Sequence, residues 1–156
     1  MTLTAYRLTK TRYAEQAFSG EGARLTGGRW NPIETRMVYL ASSLSLATLE
    51  MLVHIEDYGI LMNLFSVIEV QFDSRLVHSP KHDDLPPGWG SPGILASTQF
   101  YGAEWLRSQS SVILQVPSVI TPSENNFLLN PNHPSFKKVK IGKAKPFHFD
   151  PRLIKS

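Results

Sequence analysis

The chain has 156 residues, 42% of them hydrophobic, and a formal net charge of +3. That length suits one domain with a core of its own, and the apolar content excludes a disordered chain. The mild basicity is compatible with an anionic ligand without demanding nucleic acid, and the absence of cysteine excludes disulfides and thiolate metal sites. A cysteine-free chain fits a reducing cytoplasm. The opening MTLTAYRLTK lacks the apolar core of a signal peptide. No apolar run approaches the roughly 20 residues needed to span a bilayer, so a cytoplasmic protein without membrane contact is expected.

Residues 2–8 predict a strand carrying Tyr6 and Arg7. Tyr13, Ala14, Ala17 and Phe18 recur at helical spacing, which predicts a short helix that Ser19, Gly20, Glu21 and Gly22 end. Residues 23–32 read as irregular. Gly27 and Gly28 have no side chains there, so the backbone can approach a ligand or another strand closely. Arg29 follows directly, and Trp30 is expected to anchor the loop in the core.

Residues 37–41 read as a buried strand with Tyr39 in its middle. Ser42 or Ser43 can cap the helix expected over 44–56 by accepting from its first free amides. Leu46, Leu49, Met51, Leu52, Val53 and Ile55 cover most of that helix's circumference, which predicts a largely buried element. Glu50 sits inside it. A buried carboxylate must be paired, hydrogen-bonded or driven neutral, so Glu50 is the residue that most needs an explanation.

Residues 63–72 predict a strand with Leu64, Ile68, Val70 and Phe72 on one face and Ser66 among them. Residues 79–93 form a long Pro/Gly loop, either a lid or a connection. A helix is expected over 95–107, with Phe100, Trp105 and Leu106 for packing. A strand over 111–116 ends at Pro117 and Ser118, another spans 125–130, and residues 137–149 alternate enough for a last strand or two. The sum is a single α+β domain, strand-rich in its second half and without a linker.

The common catalytic motifs are missing. Neither HExxH nor CxxC occurs, so a zinc enzyme has no support. Glu50 and His54 share a helical face, but that spacing is commonplace and selects no metal. GGRWN lacks the GK[ST] ending of a Walker loop, and GEGARLTGG does not open a helix after a strand as a dinucleotide fingerprint does. No local signature selects a Ser-His-Asp triad.

What remains is an arginine in a glycine-rich turn, a tyrosine on a strand and a glutamate in a helix. Arginine's planar fork suits a phosphate or diphosphate. Tyrosine offers a flat face and a polar edge. A carboxylate can stabilise an oxocarbenium-like centre or bond a sugar hydroxyl beside it. Each has a plainer reading: Arg29 in an ion pair with Glu34 or Glu50, Tyr39 in the core, Ser118 shaping the turn after Pro117. A competing function is a nucleic-acid-binding or RNA-processing module, in which Lys137, Lys138, Lys140, Lys143 and Lys145 bind single strands with Phe136, Phe147 and Phe149 nearby. Its own plain reading is an edge strand protected by lysines.

Several longer stretches match a known family. They are AYRLTK, GEGARLTGGRWN, MVYLASSLSLATLEMLVHI, VPSVI, NNFLLNPNHPSF and PFHFDPRL, running in order over residues 6–153. On these the chain resembles the RES domain found in the toxins of RES–Xre toxin–antitoxin pairs. The resemblance implies a branch of the ADP-ribosyltransferase fold, with a mixed central sheet and flanking helices. It also implies an enzyme that uses NAD as substrate rather than cofactor, with no metal. The NAD would be depleted by hydrolysis or phosphorolysis, and some related members transfer ADP-ribose to a protein. The family's arginine, tyrosine, glutamate and serine fall on Arg29, Tyr39, Glu50 and Ser118, with Ser111 the alternative serine and Arg7 a second phosphate contact. The implied partner is an Xre-type helix-turn-helix antitoxin, through which alone the complex would meet DNA.

Overall fold

The computed structural model describes residues 1–62 and 64–153. Its framework is one sheet of eight strands: β1 (Thr2–Lys10), β2 (Val38–Ala41), β3 (Phe65–Asp73), β4 (Val77–His78), β5 (Ile113–Pro117), β6 (Asn125–Leu129), β7 (Lys140–Ile141) and β8 (Lys145–Phe147). The order is β4-β5-β6-β2-β1-β3-β7, with β8 also paired to β3. β4 and β5 run parallel and the other pairs antiparallel, so the mixed sheet and α+β class expected from sequence are observed. β6, late in the chain, lies between β2 and β5 in the interior of the sheet.

Alternation along the strands gives the sheet two apolar faces. Ala5, Val38, Leu40, Ile68, Val70, Ile113, Phe127 and Leu129 build the core on one face. The other face carries two separate clusters. One gathers Leu8, Ala41, Leu46 and Phe65 under a helix α2 (Leu44–His54). The second gathers Trp30, Met37, Trp105, Leu114 and Leu128 under a helix α3 (Ala96–Ser108). The boundary between the clusters crosses β2 and β6, because Tyr39 and its partner Leu128 belong to the α3 side and Ala41 pairs with Asn126 on the α2 side.

Several local expectations change. The helix around 13–18 is a 3₁₀ segment, Thr11–Gln16. The stretch read as a helix end and an irregular loop instead opens with α1 (Glu21–Thr26), held by the Arg24–Glu21 ion pair at 2.6 Å. α2 is capped by Ser43, whose Oγ accepts from the Leu46 amide at 3.0 Å. Only Leu46 and Ala47 of α2 are fully buried, while Leu49 and Val53 remain 42% and 61% exposed, because the helix packs on the sheet from one side alone. On β3 the expected first residue, Asn63, lies outside the described residues, and Leu64 is exposed, so the buried face begins at Phe65 and Ser66. Phe100 points outward at 67% exposure, and α3 turns Thr98, Gly102 and Trp105 inward instead.

Candidate active site

The glycine-rich turn is built around Asn31, a fully buried side chain. Its Nδ2 donates to the carbonyls of Ala23 at 2.8 Å, Pro32 at 3.1 Å and Thr35 at 3.2 Å. Its Oδ1 accepts the Tyr39 hydroxyl at 2.6 Å, and that hydroxyl accepts the Trp30 amide at 3.1 Å. The phenol proton is therefore committed to Asn31. Burial pushes the Tyr39 hydroxyl above its ordinary range. Gly28 makes this approach possible, since a Cβ there would lie 2.7 Å from the Tyr39 oxygen. From α3, the Gln99 amide buttresses the turn through the Gly28 and Asn31 carbonyls at 3.1 and 3.3 Å.

Arg29 projects from this turn. Its Nη1 donates to the carbonyls of Trp89 at 3.2 Å and Gly93 at 3.1 Å, and its Nη2 to that of Pro92 at 3.3 Å. Neither ion pair weighed for Arg29 forms. Glu34 pairs with Arg24 at 2.8 Å, and Glu50 is bonded elsewhere. Burial lowers the Arg29 pKa, with the nearby Tyr39 phenol acting in the opposite sense. Among the described residues no carboxylate neutralises its charge. The 79–93 loop is pinned by Leu85, which is buried, and by Trp89, which packs on the α3 cluster and stacks edge-on with His82. It covers Arg29 with its own carbonyls.

Glu50 is brought by α2 to the cluster boundary, where it is half-buried. Its Oε1 accepts from Ser118 Oγ at 3.2 Å and its Oε2 from Asn126 Nδ2 at 2.9 Å. Burial pushes the carboxyl up from its ordinary pKa, opposed by the Asn126 and then the Ser118 hydrogen bond. Ser118 is wholly buried, and its Oγ accepts the amides of Ile120 at 3.1 Å and Thr121 at 3.2 Å. With both lone pairs engaged, its single proton is directed to Glu50. Sequence reasoning missed Asn126; the signal available was its place two residues before Leu128, on the same face of β6.

Ser118→Ala removes a donor from Glu50 and leaves two amides without an acceptor. A loss of about 1–3 kcal/mol is expected in urea unfolding, together with a further rise of the Glu50 pKa.

Two sequence candidates fall elsewhere. Ser111 accepts from the Trp105 indole at 2.9 Å and donates to the Ile113 carbonyl at 2.9 Å, a structural link at the end of α3. Arg7 alternates with Leu3 and Ala5, which pack on the face opposite Glu50. Its guanidinium donates to the carbonyls of Ala17 at 2.7 Å and Tyr39 at 3.0 Å, and burial lowers its pKa to about 10. In place of the second phosphate contact expected there, Arg7 is a partly buried brace between Ala17 and the backbone of β2. The basic edge is also revised: Lys140 and Lys145 lie on the edge strands β7 and β8. The aromatics needed for base stacking are packed inward, with Phe149 against Phe65 at 5.0 Å and Phe147 at 5.1 Å between ring centroids. Concavities of about 340 and 280 Å³ flank Ile141 and Gly142 on that side and include none of Arg29, Tyr39, Glu50 or Ser118. Among the described residues no helix is long and apolar enough to cross a membrane.

Comparison with known proteins places the chain in a family. The RES domain matches residues 4–150. Toxin Res of Yersinia enterocolitica is 43% identical over 150 residues, covering 95% of this chain and 97% of that protein. The Prs ADP-ribosylating toxin of Sphingobium sp. is 38% identical over 160 residues, covering 99% of each. Among solved structures, the M. tuberculosis MbcT–MbcA toxin–antitoxin complex contains a chain that superposes with a TM-score of 0.74 at 17% identity. The match covers 95% of this chain and 85% of that one, a likeness of fold.

Proposed function

The chain belongs to the RES domain family, as a toxin of a toxin–antitoxin system, and on that premise we propose that it cleaves the bond between nicotinamide and ribose in NAD. The observation that carries this reading is the pairing of a held carboxylate with a cation that no carboxylate neutralises. Glu50 is gripped by Ser118 and Asn126, and Arg29, on the turn that binds the Tyr39 hydroxyl, has its fork on neutral carbonyls alone.

In the reaction, Arg29 exchanges its loop carbonyls for the diphosphate, a charged acceptor that makes stronger hydrogen bonds. The Tyr39 ring faces the nicotinamide. Its hydroxyl does not act as an acid, because its proton is committed to Asn31. The glycosidic electron pair leaves with nicotinamide, whose cationic ring becomes neutral, so no proton is needed at the leaving group. Positive charge develops on the ribose, where the Glu50 carboxylate stabilises it. Water or inorganic phosphate then attacks the anomeric carbon, and water loses a proton to solvent. An Xre-type helix-turn-helix antitoxin is the partner this reading expects, with DNA engaged only through it. Transfer of ADP-ribose to a protein is the second reading, favoured by the name of the Sphingobium relative.

The test is cellular NAD after brief induction, beside a Glu50→Ala control. NAD falls quickly with the wild type and not with the control. Mass analysis of the product separates free ADP-ribose, its phosphate and a protein adduct. Steady NAD in cells that stop growing would overturn depletion and favour protein modification.

A further inference from the structure

We propose that Asn126 is a positioning residue for the chemistry of Glu50. The inference rests on the reading of Glu50 given above. Both N–H bonds of the Asn126 amide are used: one reaches Glu50 Oε2 at 2.9 Å, the other the Leu40 carbonyl at 3.2 Å. The second bond locks the first. An amide turned over would set its oxygen against the Leu40 carbonyl and the carboxylate together, two acceptor–acceptor contacts. The donor therefore always faces Glu50. Its origin is rigid as well, because Asn126 is paired across Ala41 on β2 and Val116 on β5 in the sheet interior.

With Ser118 on Oε1 and Asn126 on Oε2, each carboxylate oxygen is held by a separate element, and the plane of the carboxylate is fixed. Each oxygen keeps a further lone pair for the substrate. Among the described residues, the titratable groups on the elements that adjoin Glu50 include His54 one turn along α2, Tyr6 on β1 in the cluster under that helix, and Glu124 before β6, whose Oε1 accepts from Ser43 at 2.9 Å. None of them is a cause of its shift, which sets burial against the two hydrogen bonds. Of the two hydrogen bonds that oppose the effect of burial, Asn126's is the larger, and it favours the ionised form, which can answer positive charge on the ribose.

The experiment compares wild type, Asn126→Ala and Asn126→Asp by nicotinamide release against pH, and follows the Glu50 carboxyl by NMR titration in wild type and Asn126→Ala. Both variants are expected to move the acid limb of the rate profile upward, Asp further than Ala because it adds a like charge. The rate at neutral pH should fall about tenfold, with KM for NAD little changed, since a hydrogen bond to a charged group is lost. The NMR titration of Glu50 should move upward in parallel. A residue needed only for folding would lower the rate equally at every pH and leave the titration of the folded fraction in place; that result overturns the proposal. If wild type releases no nicotinamide, the NAD reading fails, while the NMR titration still decides whether Asn126 governs Glu50.

Discussion

Replacing Glu50 with glutamine is expected to lower kcat/KM for nicotinamide release by about two to three orders of magnitude in a protein that stays folded. The loss follows from removing the negative charge that faces the developing cation in a partly dehydrated setting, where preorganised groups have their largest effect. Folding survives because burial raises the Glu50 pKa. The native state then binds the Glu50 proton more tightly than the unfolded chain does. The stability tied to that proton is fully present below the unfolded carboxylate pKa and is lost as pH rises through the higher folded value. At neutral pH the wild type therefore carries a penalty that the neutral amide lacks. Against this, the glutamine nitrogen cannot accept from Ser118 or Asn126, which forfeits one hydrogen bond. The two effects leave stability within about 1 kcal/mol of wild type near neutrality, and the variant gains on the wild type as pH rises. Urea unfolding at acidic and alkaline pH, beside the rate measurement, checks both halves. Near-wild-type turnover would remove Glu50 from the chemistry.

Gly102→Ala should be the most destabilising single methyl in the protein. A Cβ at Gly102 would overlap the backbone carbonyl of Trp30, and Trp30 is itself buried at 3% exposure. Backbone on both sides leaves no flexible side chain to yield, so α3 must lift from the turn that carries Arg29. A loss of more than about 3 kcal/mol is expected, which for a domain of this size lowers the melting temperature by roughly 6–12 °C. Gly22→Ala is the matched control. Its Cβ would meet nothing within 4 Å inside α1, and it should stabilise by about 0.5–1 kcal/mol. Thermal melts of the two variants should move in opposite directions.

The strands were the legible part of the fold. β1, β2, β3, β5 and β6 follow runs whose apolar residues either alternate or stay buried on both faces, and that signal is local. α1 was not legible, because a six-residue helix containing glycine has little intrinsic preference; beside the local Arg24–Glu21 pair, its ion pairs with Glu34 and Arg36 come from neighbours in space. The burial of α2 was overread, since an apolar circumference states what a helix could bury and not what is present to cover it. Of the candidate residues, Arg29 was singled out in a glycine-rich turn, Tyr39 on a strand and Glu50 in an apolar helix, and the family resemblance named these three together with Ser118. The links among them lay beyond any local pattern. Ser118 and Asn126 meet Glu50 across 68 and 76 residues of chain, and an asparagine opening a strand reads as a turn residue until its partner is seen. Arg7 differs: the resemblance implied a phosphate contact, while strand alternation puts it on the other face, braced by carbonyls.

The position of β6 in the sheet sets when the proposed site can assemble during synthesis. The ribosome delivers Arg29, Tyr39 and Glu50 early, but the strand that completes their surroundings is the sixth of eight, and it inserts between two strands already made. Until Asn126 has emerged, β2 lacks one neighbour, Glu50 lacks its Asn126 donor, and β5 has no link to the rest of the sheet. A chain ending before β6 lacks the Asn126 donor and the strand that joins β5 to β2, so the site proposed above would be complete only when nearly the whole polypeptide has been made.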